Sequence, residues 1–124
     1  MINENLATIK KSIPSHVTLV AVSKTKPNEL IKEAYSSGHR IFGENKAQEL
    51  KNKAEVLPKD IEWHFIGPIQ SNKCKLIAEN FSWVQSIDRI KIASRINDHR
   101  TLMPPMNICI QVNISNEESK GGVN

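Results

Sequence analysis

The 124-residue sequence predicts an α/β fold, a (β/α) TIM-barrel-like domain truncated after about five parallel strands. Three observations predict it. Strand-like runs begin near Val17, Ile41, Ile61, Trp83 and Asn107, about 20 to 24 residues apart, with helical periodicity in each gap. The run Val17-Thr18-Leu19-Val20-Ala21-Val22-Ser23-Lys24 is long and β-branched, as in a strand buried on both faces. Four of the five strands end in a polar residue, at Lys24, Asn45, Asp88 and Asn113. Ligand chemistry in such folds collects at that end.

Each element has its own warrant. A first helix places Ile2, Leu6, Ile9 and Ile13 on one face. The first strand closes at Lys24, which shares a face with Val20 and Val22. A second helix has Pro27 near its first turn, Leu30, Ile31 and Ala34 inward, and Gly38 as its stop. The strand Ile41-Phe42-Gly43-Glu44-Asn45 puts Asn45 on the face of Ile41 and Gly43. The third helix carries Ala47, Leu50, Ala54 and Leu57 and stops before Pro58. The third strand runs into Gly67-Pro68, and a fourth helix follows Ser71-Asn72 with Cys74, Ile77 and Phe81. The fifth has Ala93 and Ile96 behind an N-cap at Asp88. Connections of this length place consecutive strands side by side, in the order 1-2-3-4-5. No linker or composition shift divides residues 1–124, which read as a single partial (β/α) barrel domain. A complete barrel takes about 250 residues.

Composition excludes several function classes. Seventeen Lys+Arg against thirteen Asp+Glu give a net charge of +4, but the basic residues are scattered and carry no interleaved aromatics. Nucleic acid is therefore not the expected partner. No apolar stretch has the length of a membrane span, and the start Met1-Ile2-Asn3-Glu4-Asn5 lacks a secretory pattern, so a cytoplasmic protein is expected. Cys74 and Cys109 have no metal-ligand spacing and read as small buried hydrophobes; no metal is expected.

The last strand divides into an apolar face, Ile108, Ile110, Val112 and Ile114, and a second face, Cys109, Gln111 and Asn113. Inward amides serve either a ligand at the barrel mouth or each other. His64, between Trp63 and Phe65, reads as a satisfied core histidine, and Ser115 with Glu118 fits a capping box. Lys24 has two readings: a solvated turn lysine, or an amine on a rigid element beside a partly dry pocket, suited to attack a carbonyl.

Several motifs together resemble the pyridoxal phosphate homeostasis proteins (the YggS/PROSC type). They are Ala21-Val22-Ser23-Lys24-Thr25-Lys26-Pro27, Phe42-Gly43-Glu44-Asn45 with Gln48-Glu49, and Trp63-His64-Phe65-Ile66-Gly67-Pro68 with Gln70-Ser71-Asn72-Lys73. Ser86-Ile87-Asp88 and Gln111-Val112-Asn113-Ile114-Ser115 through Glu118, Lys120 and Gly122 complete the set. The resemblance covers the whole chain but only the N-terminal half of that family. It implies a barrel of the alanine racemase N-terminal-domain type that holds pyridoxal 5'-phosphate (PLP) as a Schiff base on Lys24. Asn45 would lie beside the cofactor, and Lys26 and Lys120 match basic residues linked to its handling; Asn113, which like Asn45 ends a strand, is expected to support the cofactor and not the fold. The implied role is PLP homeostasis, a carrier or regulator without catalysis. The alternatives are half of a PLP-dependent racemase-like enzyme, or a non-binding interaction fragment. The family's phosphate-binding segments would lie beyond Asn124, so impaired binding is expected, with self-association or pairing with a complementary C-terminal fragment.

Overall fold

A computed structural model describes residues 2–101, 103–118 and 120–124; Met1, Leu102 and Ser119 lie outside the described residues. Five parallel strands form one sheet in the order β1-β2-β3-β4-β5. They are β1 Ala21–Val22, β2 Ile41–Glu44, β3 Glu62–Phe65, β4 Trp83–Ile87 and β5 Asn107–Ile110. Helices α1 Ile2–Ser12, α2 Asn28–Ser36, α3 Ala47–Val56, α4 Cys74–Asn80 and α5 Ile90–Asp98 alternate with them, and a 3-10 turn, Ser71–Lys73, precedes α4. Element order and strand order are those the spacing predicts.

The register sorts the side chains. Phe42 stands beside Trp63, and Phe65 beside Val84, on the face that meets the helices. There they bury with Ile31, Leu50, Ile77 and Ile92 into the main core. Phe65 meets Phe81 edge to face, with ring centroids 5.3 Å apart, a geometry that adds to simple burial. The opposite face carries Val22, Gly43 and His64. His64 is the satisfied core residue expected: it is buried, bonded to Glu62 Oε2 at 2.7 Å and Gln85 Nε2 at 2.9 Å, and stacked on Trp83.

Five expectations need correction. The run from Val17 pairs only at Ala21–Val22, because that register leaves earlier residues facing the turn before β2. Val17 is exposed, and Val22 is 54% exposed because β1 is an edge strand. Asp88 does not cap α5: Arg89 occupies that position, with no side-chain capping bond. Among the described residues no helix follows Ser115, so Ser115 and Glu118 form no capping box; Asn113 organises that loop instead. Cys74 is buried but Cys109 is exposed, because β5 lies at the other edge. For the same reason Ile108 and Ile110 are 47% and 65% exposed, and Val112 and Ile114 are exposed too. The first helix is also lighter than its pattern: α1 buries no residue fully, and only Ile2 and Leu6 pack against the core.

His39, just before β2, sits buried against Phe42 with Nε2 bonded to the Ile41 carbonyl at 2.6 Å. Burial, with some repulsion from Lys10 and Arg40, pushes its pKa below the ordinary histidine value. The unfolded chain thus binds a proton on this ring at a higher pH than the folded one. The contribution of His39 to stability is complete above about pH 6.5 and is lost as pH falls below it. Thermal melts between about pH 7 and 5 should show that loss in the wild-type chain and a smaller one in His39→Gln.

Candidate functional site

Lys24 lies two residues past the end of β1, in the turn that leads to α2. It is exposed, not held in a dry pocket, because five strands leave the inner face open on the side of β1. The turn is tight. The Lys26 N–H donates to the Ser23 carbonyl at 3.1 Å, and Thr25 adopts a φ of 64°. A β-branched residue in the left-handed region is strained and persists only where its surroundings fix it.

Those surroundings are a buried polar cluster on the helix side of the sheet. Ser23 donates its N–H to the Gly43 carbonyl at 3.0 Å and its hydroxyl to Glu44 Oε2 at 2.5 Å. Lys53 Nζ, from α3, donates to the Ser23 carbonyl at 3.0 Å and to Glu44 Oε2 at 2.9 Å. It also lies 3.6 Å from Glu49 Oε1. Burial pushes the Glu44 carboxyl up, and Glu49 adds to that push, while hydrogen bonds from Ser23 and Lys53 pull the other way. Burial also raises Glu49, but hydrogen bonding with Glu44, the Lys53 charge and the Thr25 N–H outweigh it and hold Glu49 low. Glu44 Oε1 receives no hydrogen bond from a donor among the described residues.

Asn45 directly follows β2 and stands half-buried beside the end of β3. Gly67 makes this possible, since a Cβ on it would lie 2.7 Å from the Asn45 Cβ. Ser86 donates to the Gly67 carbonyl at 2.5 Å, and Arg89 to the Ile69 carbonyl at 2.6 Å, which pins the loop after β3. Asn45 lines an open cleft of about 450 Å³ with Gln48, Phe65, Pro68, Gln70 and Lys73. Its side chain makes no hydrogen bond among the described residues and is available to a ligand.

The structure brings Lys24 and Asn45 to the same ends of neighbouring strands, and separates the other candidates from them. Lys26 is exposed and borders a groove of about 200 Å³ with Ile2, Leu6 and Leu30, on the helix side of β1. Asn113 and Lys120 lie past β5, at the opposite edge of the sheet. The Asn113 amide donates to the Glu117 carbonyl at 2.7 Å and accepts from the Glu117 N–H at 3.0 Å, so it closes its own loop. It does not pair with Gln111. The Lys120 side chain is exposed. No group of metal-ligating residues occurs among the described residues.

A parallel sheet in sequential order, with its lysine and amide at the C-terminal ends of adjacent strands, is the leading part of a (β/α) barrel. Alanine racemase from E. faecalis has the same fold, with a TM-score of 0.71 at 16% identity over 98% of this chain and 34% of that one. No family model matches the chain. It is 54% identical over 111 residues to the pyridoxal phosphate homeostasis protein of Pseudomonas aeruginosa, covering 88% of this chain and 48% of that protein. PipY of Synechococcus elongatus superposes with TM-scores of 0.94 without PLP and 0.90 with PLP bound, at 37% identity over 100% of this chain. The match covers 59% and 58% of the two PipY chains. The resemblance to the pyridoxal phosphate homeostasis proteins therefore holds, over the N-terminal half of that family. The chain spans about half the length of the curated relatives it matches.

Proposed function

We propose that the chain binds PLP in intracellular vitamin B6 homeostasis and holds it as a Schiff base on Lys24. The observation that carries this is the position of Lys24 at the end of β1, in a chain that superposes along its whole length on PipY with PLP bound. The residues suit the aldehyde end of the cofactor. An amine is presented from a fixed turn, and Asn45 offers a free amide at the next strand end. PLP supplies an electrophilic aldehyde, and the lysine supplies the nucleophile once it has lost its proton. Lys26, two residues past Lys24, would add positive charge near it, whereas Asn113 and Lys120 stand at the β5 edge with the Asn113 amide engaged by Glu117, so the proposal rests on Lys24 and Asn45. A phosphate needs backbone amides or a cation clustered around it. Beside the first turn of α2, Lys26 is the exposed cation next to Lys24 and no cluster of cations surrounds it, so weak retention is expected.

Carriage fits this chain better than catalysis. The likeness to alanine racemase, at 16% identity, concerns the fold alone. The names of the closer relatives point to homeostasis. No helix among the described residues is long and apolar enough to cross a membrane.

Mixing the chain with PLP, reducing with borohydride and mapping the peptides should place the adduct predominantly on Lys24. Lys24→Ala should abolish that peptide's label and leave the background on surface lysines unchanged. Even labelling across all lysines would refute the assignment.

A further inference from the structure

We propose that the buried cluster of Ser23, Glu44, Lys53 and Glu49 is a positioning device for Lys24, clamping the main chain on both sides of it. This rests on the reading that Lys24 takes the cofactor. On one side, all three polar groups of Ser23 are engaged: its N–H by Gly43, its hydroxyl by Glu44, its carbonyl by Lys53. On the other, the Thr25 N–H points to Glu49 Oε1 at 3.5 Å. Glu49 and Lys53 sit one turn apart on α3, so a single helix grips both neighbours of Lys24. With the flanking peptides held, the Cα–Cβ direction of Lys24 is held too. The left-handed Thr25 is the conformational cost of that turn.

Stability alone is a poor reason for this cluster. A buried ion pair contributes no more than well-packed apolar residues of similar volume. Here Glu44 and Lys53 occupy the buried layer in which β2 and β3 place Phe42, Trp63 and Phe65. The cluster lies behind the sheet, so it acts on Lys24 through the backbone and without touching a ligand on the inner face. A site whose nucleophile sits on an exposed turn needs such support, because a displacement of about 1 Å can cost on the order of a hundredfold in reactivity.

The test uses the 124-residue chain, a short exposure to PLP, borohydride reduction and peptide mapping. The readout is the label on Lys24 divided by the mean label on the exposed lysines of the same molecule. General loosening of the fold moves numerator and denominator together, whereas misplacement of Lys24 moves only the numerator. Three proteins are compared: wild type, Glu44→Gln/Lys53→Met, which leaves no buried charge unpaired, and Glu49→Gln, at a partly exposed position. The double variant should keep a cooperative melt while the ratio falls about tenfold, and Glu49→Gln should lower it about threefold. An unchanged ratio in both variants overturns the proposal. If the double variant does not fold, Glu49→Gln decides alone, and an unchanged ratio there overturns it. A wild-type ratio near one is a separate result: it removes the assignment of Lys24 itself, and the positioning role with it.

Discussion

Replacing Lys53 by alanine should destabilise the chain by about 3–5 kcal/mol, a large share of a small domain's stability. The Lys53 ammonium is the cation on Glu44 Oε2, at 2.9 Å, and both side chains are shielded from solvent. Removing it leaves a carboxylate inside the fold with the Ser23 hydroxyl as its remaining donor. Glu44 can relieve the penalty by taking up a proton, because burial already pushes its carboxyl up and losing Lys53 removes two influences that pull it down. The sign of the pH dependence follows. With the folded pKa of Glu44 above the unfolded value, stability linked to this group is present below the unfolded pKa and lost as pH rises through the folded one. Denaturant titrations of Lys53→Ala should therefore show the deficit growing from about pH 5 to 8. Glu44→Gln/Lys53→Met should stay close to wild type throughout. A Lys53→Ala chain as stable as wild type at neutral pH would mean that the pair contributes nothing to the fold.

That cluster was partly legible in the sequence. Lys53 follows Leu50 by three residues and precedes Leu57 by four, which places it on the apolar face of α3. Glu44 alternates with Phe42 and so takes the core-facing side of β2. A glutamate and a lysine each forced inward by periodicity are a pairing signal, since neither buries alone. Ser23 carried no such mark, because its role depends on the register Val22↔Gly43, a non-local fact. The βα order was legible because strand spacing and helical periodicity are local. The edge behaviour of β1 and β5 was not. Val17–Val22 and Ile108–Ile114 have the composition of buried strands, and their exposure is set by what stands beside them. The double use of Asn113 was equally hidden: an amide that ends a strand can face a ligand or cap a loop, and only the bonds to Glu117 show the second.

A polypeptide matching the C-terminal half of a relative such as the Pseudomonas aeruginosa protein should bind this chain, raise its melting temperature and increase its retention of PLP together. Both outer strands of the sheet, β1 and β5, have one edge without a strand partner among the described residues. Ile108 and Ile110 expose the helix-side face of β5, and with Ile87, Ile90 and Ala93 they border an apolar hollow of about 350 Å³. The equivalent face of β2, β3 and β4 is covered by helices, so this surface has the chemistry of core. Burying on the order of 400 Å² of it would contribute about 10 kcal/mol before the cost of association, which consumes much of that gain. A partner that binds only the folded chain at a hundred times its Kd adds about 2.7 kcal/mol of stability. The resemblance implies that the phosphate-binding segments lie in that half, so cofactor retention and stability should rise in step. Alone, the chain should self-associate through its open edges, with sedimentation showing species larger than a monomer. The opposite result is equally readable: a stable monomer with a cooperative melt, tight PLP binding without a partner, and no response to the added half. That would mean the five-stranded sheet is complete as it stands and that its exposed isoleucines need no cover.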